Sequence, residues 1–203
     1  MKRIYRAKFS ILHKGCWTEK VGSKVLTLRI SQYNRKKVNV MIASPDLIVK
    51  DLSSSENVDE VLRYRKMKGG YLIEFLEDSK SSISGVVLDV SNNLLEFRNR
   101  VYKGVESWQI TSISKSAINN IVETFRPDTF AMEEIDLQDI LGYGLTEKEM
   151  ETLRVALSMG YFSYPRSVKA RDVAKSMGVS KQDFLYHLRN AINKMVTSYN
   201  FDM

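Results

Sequence analysis

Gln182, Tyr186 and Asn190 recur at four-residue intervals, so on a helix they stand in one row, with Asn193 near its end. Their amide and phenol groups can both donate and accept hydrogen bonds. Such a row suits the edges of base pairs in the major groove of duplex DNA. Arg189 and Lys194 lie on its flanks, where cations suit phosphates that fix register. Phe184, Leu188, Ala191, Ile192 and Met195 share the opposite face and are expected to be buried. A helix that only completed a core would more often carry Glu and Lys on its outer side.

This chemistry needs a helix held at a fixed angle, and the preceding residues supply one. Ser180 is placed to cap it, with Asp183 in its first turn, and Gly178-Val179-Ser180 makes a tight bend. Before the bend, "ARDVAKSM" reads as a short helix with Val173, Ala174 and Met177 inward. Thr146-Glu147-Lys148-Glu149 is a capping box that opens an earlier helix, which is expected to bury Met150, Leu153 and Leu157 and to end at Gly160. Tyr161 and Phe162 pin the loop that follows, and Pro165 delays re-entry into helix. Together these form an all-α helix-turn-helix domain over residues 138–203, with double-stranded DNA as the expected partner. Gln182, Tyr186 and Asn190 would face bases, while Arg166, Lys169, Arg171, Ser180, Lys181 and Arg189 would contact phosphate. His187 falls on the flank of the helix and reads as a packing or phosphate-contact residue rather than a base reader. From Arg154 onward there are eight Lys or Arg against three acids, Asp172, Asp183 and Asp202, which adds a local basic bias to the overall charge of +7.

The same residues resemble the archaeal bacterio-opsin-activator type of helix-turn-helix domain. The resemblance rests on Leu145-Thr146, Gly160-Tyr161-Phe162, Pro165-Arg166, Val173-Ala174, Gly178-Val179-Ser180 and His187-Leu188-Arg189, and it covers about the last quarter of the chain. Glu149 stands where that family usually has Gln, and Asn190 where a basic residue is common. The resemblance implies an archaeal transcription regulator. It also extends to Cys16-Trp17, since several relatives carry a Cys-Trp segment in the N-terminal domain.

Residues 1–137 have a different rhythm. "RIYRAKFSIL", "SKVLTLRIS" and "KKVNVMIAS" alternate as strands, and "CWTEKVG" reads as a short helix. "SENVDEVLRYRKMKGG" reads as a helix capped by Ser55 with Val58, Val61 and Leu62 inward, followed by the strand "YLIEFLE". "SSISGVVLDVSNN" is expected to be helical. "LLEFRNRVY" and "VESWQITSI" are expected to form a hairpin around Lys103-Gly104. "SKSAINNIVETFRP" is a helix with Ile118, Ile121, Val122 and Phe125 on one stripe, and "TFAMEEIDL" a closing strand. "QDILGYG" is a connector. The latter part thus gives the order strand, helix, two strands, helix, strand. The expected class is α+β: an N-terminal ferredoxin-like (βαββαβ-type) region, its first part a looser copy of its second, followed by the helix-turn-helix domain. The N-terminal region would serve as a sensory or dimerisation module, pairing two copies or taking up a small-molecule effector. A homodimer is attractive because one recognition helix reads only a few bases.

Other chemistry is poorly supplied. A hydrophobic fraction of 43% and a charged fraction of 27% describe an ordinary globular chain, and no stretch is apolar enough to span a membrane. The Lys- and Arg-rich start lacks a secretory h-region, and the single Cys16 allows no internal disulfide, so a cytoplasmic location is expected. His13 and Cys16 are spaced like half a zinc site, but two His and one Cys fall short of four N/S ligands, so no metal or cofactor is expected. A His13–Cys16 nucleophilic pair is equally poor, because residues so close in sequence seldom orient each other. Gly142-Tyr143-Gly144 is no nucleotide loop, having neither a preceding strand nor a third Gly. The protein is therefore expected to be non-enzymatic. The alternatives are an RNA-binding protein using a ferredoxin-like sheet, for which the aromatic-rich RNA-binding run is missing, and a small-molecule-binding protein with a non-DNA-binding helical tail.

Overall fold

The computed structural model describes residues 3–141 and 144–198. The chain divides into two compact units, Met1–Ile135 and Asp136–Met203. No helix among the described residues is long and apolar enough to cross a membrane.

The first unit contains strands β1 (Ile4–Leu12), β2 (Val25–Gln32), β3 (Lys37–Ser44), β4 (Val58–Met67), β5 (Gly70–Asp78), β6 (Leu94–Tyr102), β7 (Val105–Ser112) and β8 (Thr129–Ile135). Helices α1 (Val49–Ser53), α2 (Ile83–Asp89) and α3 (Lys115–Phe125) interrupt them, and a 3₁₀ turn spans Trp17–Lys20. The strands form one sheet in the order β4-β5-β3-β2-β6-β7-β1-β8, and every pairing is antiparallel. The expected α+β class is present, with an antiparallel sheet region preceding a helical one. The sheet has eight strands in a single ladder, where a ferredoxin-like unit has four.

Alternation decides which face of the sheet is covered. Val38, Val40 and Ile42 of β3 oppose Glu77, Phe75 and Ile73 of β5 and are buried with Ile48 and Leu52 around α1. Phe9, Ile11, Trp108 and Ile110 pack with Ile83 and Val87 of α2 and Ile121 of α3. Ser82 and Ser114 cap α2 and α3, each accepting the N–H three residues on. The opposite face carries a charged cluster. There Glu74 of β5 accepts from Arg29 Nη2 (2.8 Å), Arg63 Nε (2.5 Å) and Asn39 Nδ2 (3.0 Å), lacing β2, β3, β4 and β5 together. Burial pushes the Glu74 carboxyl up, but these donors outweigh it and hold the group below its usual range.

One element differs outright from its sequence reading. Residues expected as a helix from Ser55 onward form strand β4, and Ser55 does not cap it; its hydroxyl donates to the Asp51 carbonyl at 2.8 Å. Register shifts occur between Val58 and Glu60 and between Val61 and Arg63. Each extra residue moves the next inward side chain on by three rather than two. Val58, Val61 and Tyr64 therefore oppose Glu77, Phe75 and Ile73, and a bulged strand imitates a helical period. Leu62, expected inward, is exposed. The one-turn helix α1 escaped notice because five residues carry no readable period.

The second unit contains α4 (Leu137–Leu141), α5 (Glu147–Ser158), α6 (Ala170–Ser176) and α7 (Lys181–Ser198). The expected connector "QDILGYG" is thus helical at its start, where Asp136 and Asp139 each accept the other's N–H at 3.0 and 2.9 Å. Of Gly142-Tyr143-Gly144, the first two residues lie outside the described residues.

Candidate nucleic-acid interface

Three local devices set the helical unit. Thr146 Oγ1 accepts the Glu149 N–H at 3.2 Å and Glu149 Oε2 accepts the Thr146 N–H at 2.9 Å, so the capping box at the start of α5 is complete. The end of α5 is closed by Tyr161 N–H to the Ala156 carbonyl (2.9 Å) and Gly160 N–H to the Leu157 carbonyl (3.1 Å), with Gly160 at φ +73°. The same pair of bonds ends α6: Val179 N–H reaches the Ala174 carbonyl at 3.0 Å and Gly178 N–H reaches the Lys175 carbonyl at 3.2 Å. This six-to-one, five-to-two pattern needs a left-handed residue, which Gly178 supplies at φ +66°. Ser180 Oγ then accepts the Asp183 N–H at 3.0 Å and donates to the Asp183 carboxylate at 2.7 Å, opening α7.

The core between the helices consists of Leu145, Leu153, Ala156, Tyr161, Val173, Ala174, Phe184, Leu188 and Ala191. Phe184 is fully buried and meets Tyr161 edge-to-face at 5.4 Å. Met150, Met177, Val179 and Met195 pack partly against this cluster. Two expected core residues lie outside it: Leu157 is 64% exposed and Ile192 37%. Thr152 and Ala156 fill the inward positions of α5 instead, which admits a closer approach than Leu157 would.

Opposite this core, α7 presents its polar row. Gln182 and Tyr186 are exposed, Tyr186 at 63%, and Asn190 is half-buried. The Tyr186 ring stands edge-on to His187, which is half-buried on the flank. Arg166, Lys169, Arg171, Ser180, Lys181 and Arg189 are all exposed. Arg166 lies 4.4 Å over the Tyr161 ring, which orients its guanidinium by cation–π attraction. Ser180 is exposed, but its hydroxyl proton is committed to Asp183. Asp172 accepts the Lys169 N–H at 2.9 Å at the start of α6. Both acids are thereby spent on helix N-termini, leaving the cations around them to set the surface potential.

Sequence reasoning missed the partnership of Glu149 and Lys194. Lys194 Nζ lies 2.8 Å from Glu149 Oε2, joining the last turns of α7 to the first turn of α5. Glu149 is 4% exposed, and burial alone pushes its carboxyl up. The Lys194 ammonium and the Thr146 donors outweigh burial and hold it below its usual range. Lys194 is therefore part of the scaffold as well as a flanking cation. A 45-residue separation hides the pair from a reading of local spacing.

Residues 145–197 match the family model described as an HTH DNA binding domain. A stretch of 55 residues, 27% of the chain, is 38% identical to a Haloferax volcanii protein provisionally named a transcriptional regulator, and covers 10% of that protein. A stretch of 52 residues, 26% of the chain, is 36% identical to the transcriptional regulator NarO of Haloferax volcanii, and covers 25% of it. The similarity thus spans a quarter or less of each of these relatives.

Proposed function

We propose that this chain, whose residues 145–197 are a helix-turn-helix DNA-binding domain of the bacterio-opsin-activator type, is a sequence-specific transcription regulator that lays α7 in the major groove. The observation carrying this reading is the division of α7, with Phe184, Leu188 and Ala191 buried and Gln182 and Tyr186 exposed on the other side. Gln182, Tyr186 and Asn190 read base edges, and Arg166, Lys169, Arg171, Lys181 and Arg189 hold phosphates. Ser180 contributes through its backbone N–H at the start of α7, because its hydroxyl is engaged.

The N-terminal unit pairs two copies or takes up an effector. Its chain order supports descent from two ferredoxin-like units: strand, short helix, two strands, helix, strand occurs twice. In the sheet, β1 lies between β7 and β8 while β5 lies between β3 and β4, an order that supports two repeats with exchanged first strands.

Selection of bound sequences from a random duplex pool by the full-length protein, at defined salt, tests the reading. Gln182→Ala and Asn190→Ala should each relax preference at separate base positions, by about 1–3 kcal/mol. Arg171→Ala should weaken all sequences alike and flatten the salt slope by about one unit. Equal binding to single-stranded RNA, or preferences untouched by Gln182→Ala, would overturn it.

A further inference from the structure

Beneath the 3₁₀ turn of the sheet unit, three potential metal ligands converge from distant parts of the sequence. "HKGC" folds as a tight turn, with the Cys16 N–H donating to the His13 carbonyl at 3.2 Å and Gly15 at φ +75°. This brings His13 and Cys16 together, and pairing of β1 with β7 sets Ile11 opposite Glu106. One ring nitrogen of His13, Cys16 Sγ and a Glu106 oxygen all lie within 4.8 Å of one another. His13 Nδ1 and Glu106 Oε1 are 3.5 Å apart. That is close to the edge of a tetrahedron whose metal–ligand bonds are about 2.1 Å.

The surroundings are built around these groups. Thr18 Oγ1 donates to Glu106 Oε1 at 3.0 Å and Trp108 Nε1 to Oε2 at 2.8 Å, fixing the carboxylate while leaving a lone pair on each oxygen. Asn57 Nδ2 donates to Cys16 Sγ at 3.2 Å, and Asn57 Oδ1 accepts the Trp17 N–H at 3.0 Å, so the amide is locked with its donor on sulfur. Donors held on ligand atoms are what orient metal ligands from the outer shell. Two polar atoms remain unmet: His13 Nδ1 is buried without a hydrogen-bond partner although it faces a carboxylate, and so is Glu77 Oε2. Glu77 is 1% exposed, with Ser82 and Ser84 close enough to favour its charge without satisfying that oxygen. Glu77 and Glu106 both act electrostatically on Cys16. A ring nitrogen, a sulfur and two carboxylates thus share one interior.

We propose that His13 Nδ1, Cys16 Sγ and Glu106 bind a divalent ion of the zinc class, leaving a fourth coordination position open. On binding, the Cys16 S–H bond breaks, its proton passes to solvent, and the sulfur pair is donated to the metal. The ion places a positive charge between the two carboxylates and the sulfur. Two His and one Cys fall short of four N/S ligands by composition, and the carboxylate that completes the set lies 90 residues from Cys16 on another strand. The mixed N, S, O set favours zinc over calcium or magnesium, which prefer oxygen alone. The proposal is independent of the DNA-binding reading.

Titration of the full chain with Co²⁺ as a spectroscopic substitute provides the test. One equivalent should give a sulfur-to-cobalt charge-transfer band and four-coordinate visible bands, both removed by added Zn²⁺. Cys16→Ser should abolish the charge-transfer band while Trp emission stays native. His13→Gln and Glu106→Gln should each weaken cobalt binding more than ten-fold. Should Cys16→Ser fail to fold, His13→Gln decides, because that side chain is partly exposed. Cobalt binding without the sulfur band, the same band in Cys16→Ser, or unchanged affinity in His13→Gln would each overturn the proposal.

Discussion

In the helical unit the buried carboxylate of Glu149 meets the Lys194 ammonium and the Thr146 N–H, whereas in the sheet unit the buried carboxyl of Glu77 accepts from the Trp17 indole N–H and faces the charge of Glu106. The two respond to pH with opposite sign. Burial pushes the Glu77 carboxyl up to about 7, with Glu106 adding repulsion and the Trp17 donor opposing both. The Lys194 partnership holds Glu149 below its ordinary 4.5 despite its burial. The contrast teaches that depth alone does not set the charge state of a buried acid; the first partner does. It also separates a unit whose interior is settled by its own side chains from one whose interior would accept a cation.

The comparison can be broken most severely at Phe184. Phe184→Ala removes a fully buried ring and should cost about 4 kcal/mol, lowering the midpoint of the far-UV helical signal in urea. Both tryptophans belong to the sheet unit, so their emission provides a separate reporter that should hold its midpoint.

The next effect is the pH slope of the sheet unit in the presence of chelator. Because the folded Glu77 carboxyl binds its proton more tightly than the unfolded one, its stabilising contribution is full below pH 4.5 and is lost as pH rises to about 7. The loss should be roughly 3 kcal/mol, read from urea midpoints by Trp emission, and Glu77→Gln should flatten it. A slope unaltered in Glu77→Gln would assign it to other groups.

Glu149→Gln should cost about 2 kcal/mol at neutral pH, since Gln still accepts the Thr146 N–H but leaves Lys194 without its counter-charge. Here the sign reverses. The stabilisation is present above pH 4.5 and is lost as pH falls through the depressed folded value, so wild type and variant should converge in acid. Smallest is Gly178→Ala, where a Cβ would meet nothing within 4 Å and only the φ of +66° resists. A loss of about 1 kcal/mol in the helical signal would confirm that strain alone acts there.

Much of the helical unit was legible because its devices are local. Thr146 with Glu149, Gly178 with Ser180, and the apolar spacing from Phe184 to Ala191 all act within a turn or two of helix. The exposed row of Gln182 and Tyr186 follows from the same period. Legibility failed where two helices meet: Leu157 and Ile192 satisfy the spacing, yet the close approach of α5 and α7 takes Ala156 and Ala191 instead. In the sheet unit the hairpin of β6 and β7 was readable from alternation around Lys103-Gly104, while β4 was concealed by its two bulges.

By itself, the sequence determined the capped helices, the Gly-centred bends, most strands, and a polar face on α7, because each depends on neighbours within a few bonds or one turn. Only the tertiary structure decided the strand order, the Glu149–Lys194 bridge, and the meeting of His13 and Cys16 with Glu106. Those depend on which distant segments pair, a choice made by burying whole faces together, and no local period encodes it.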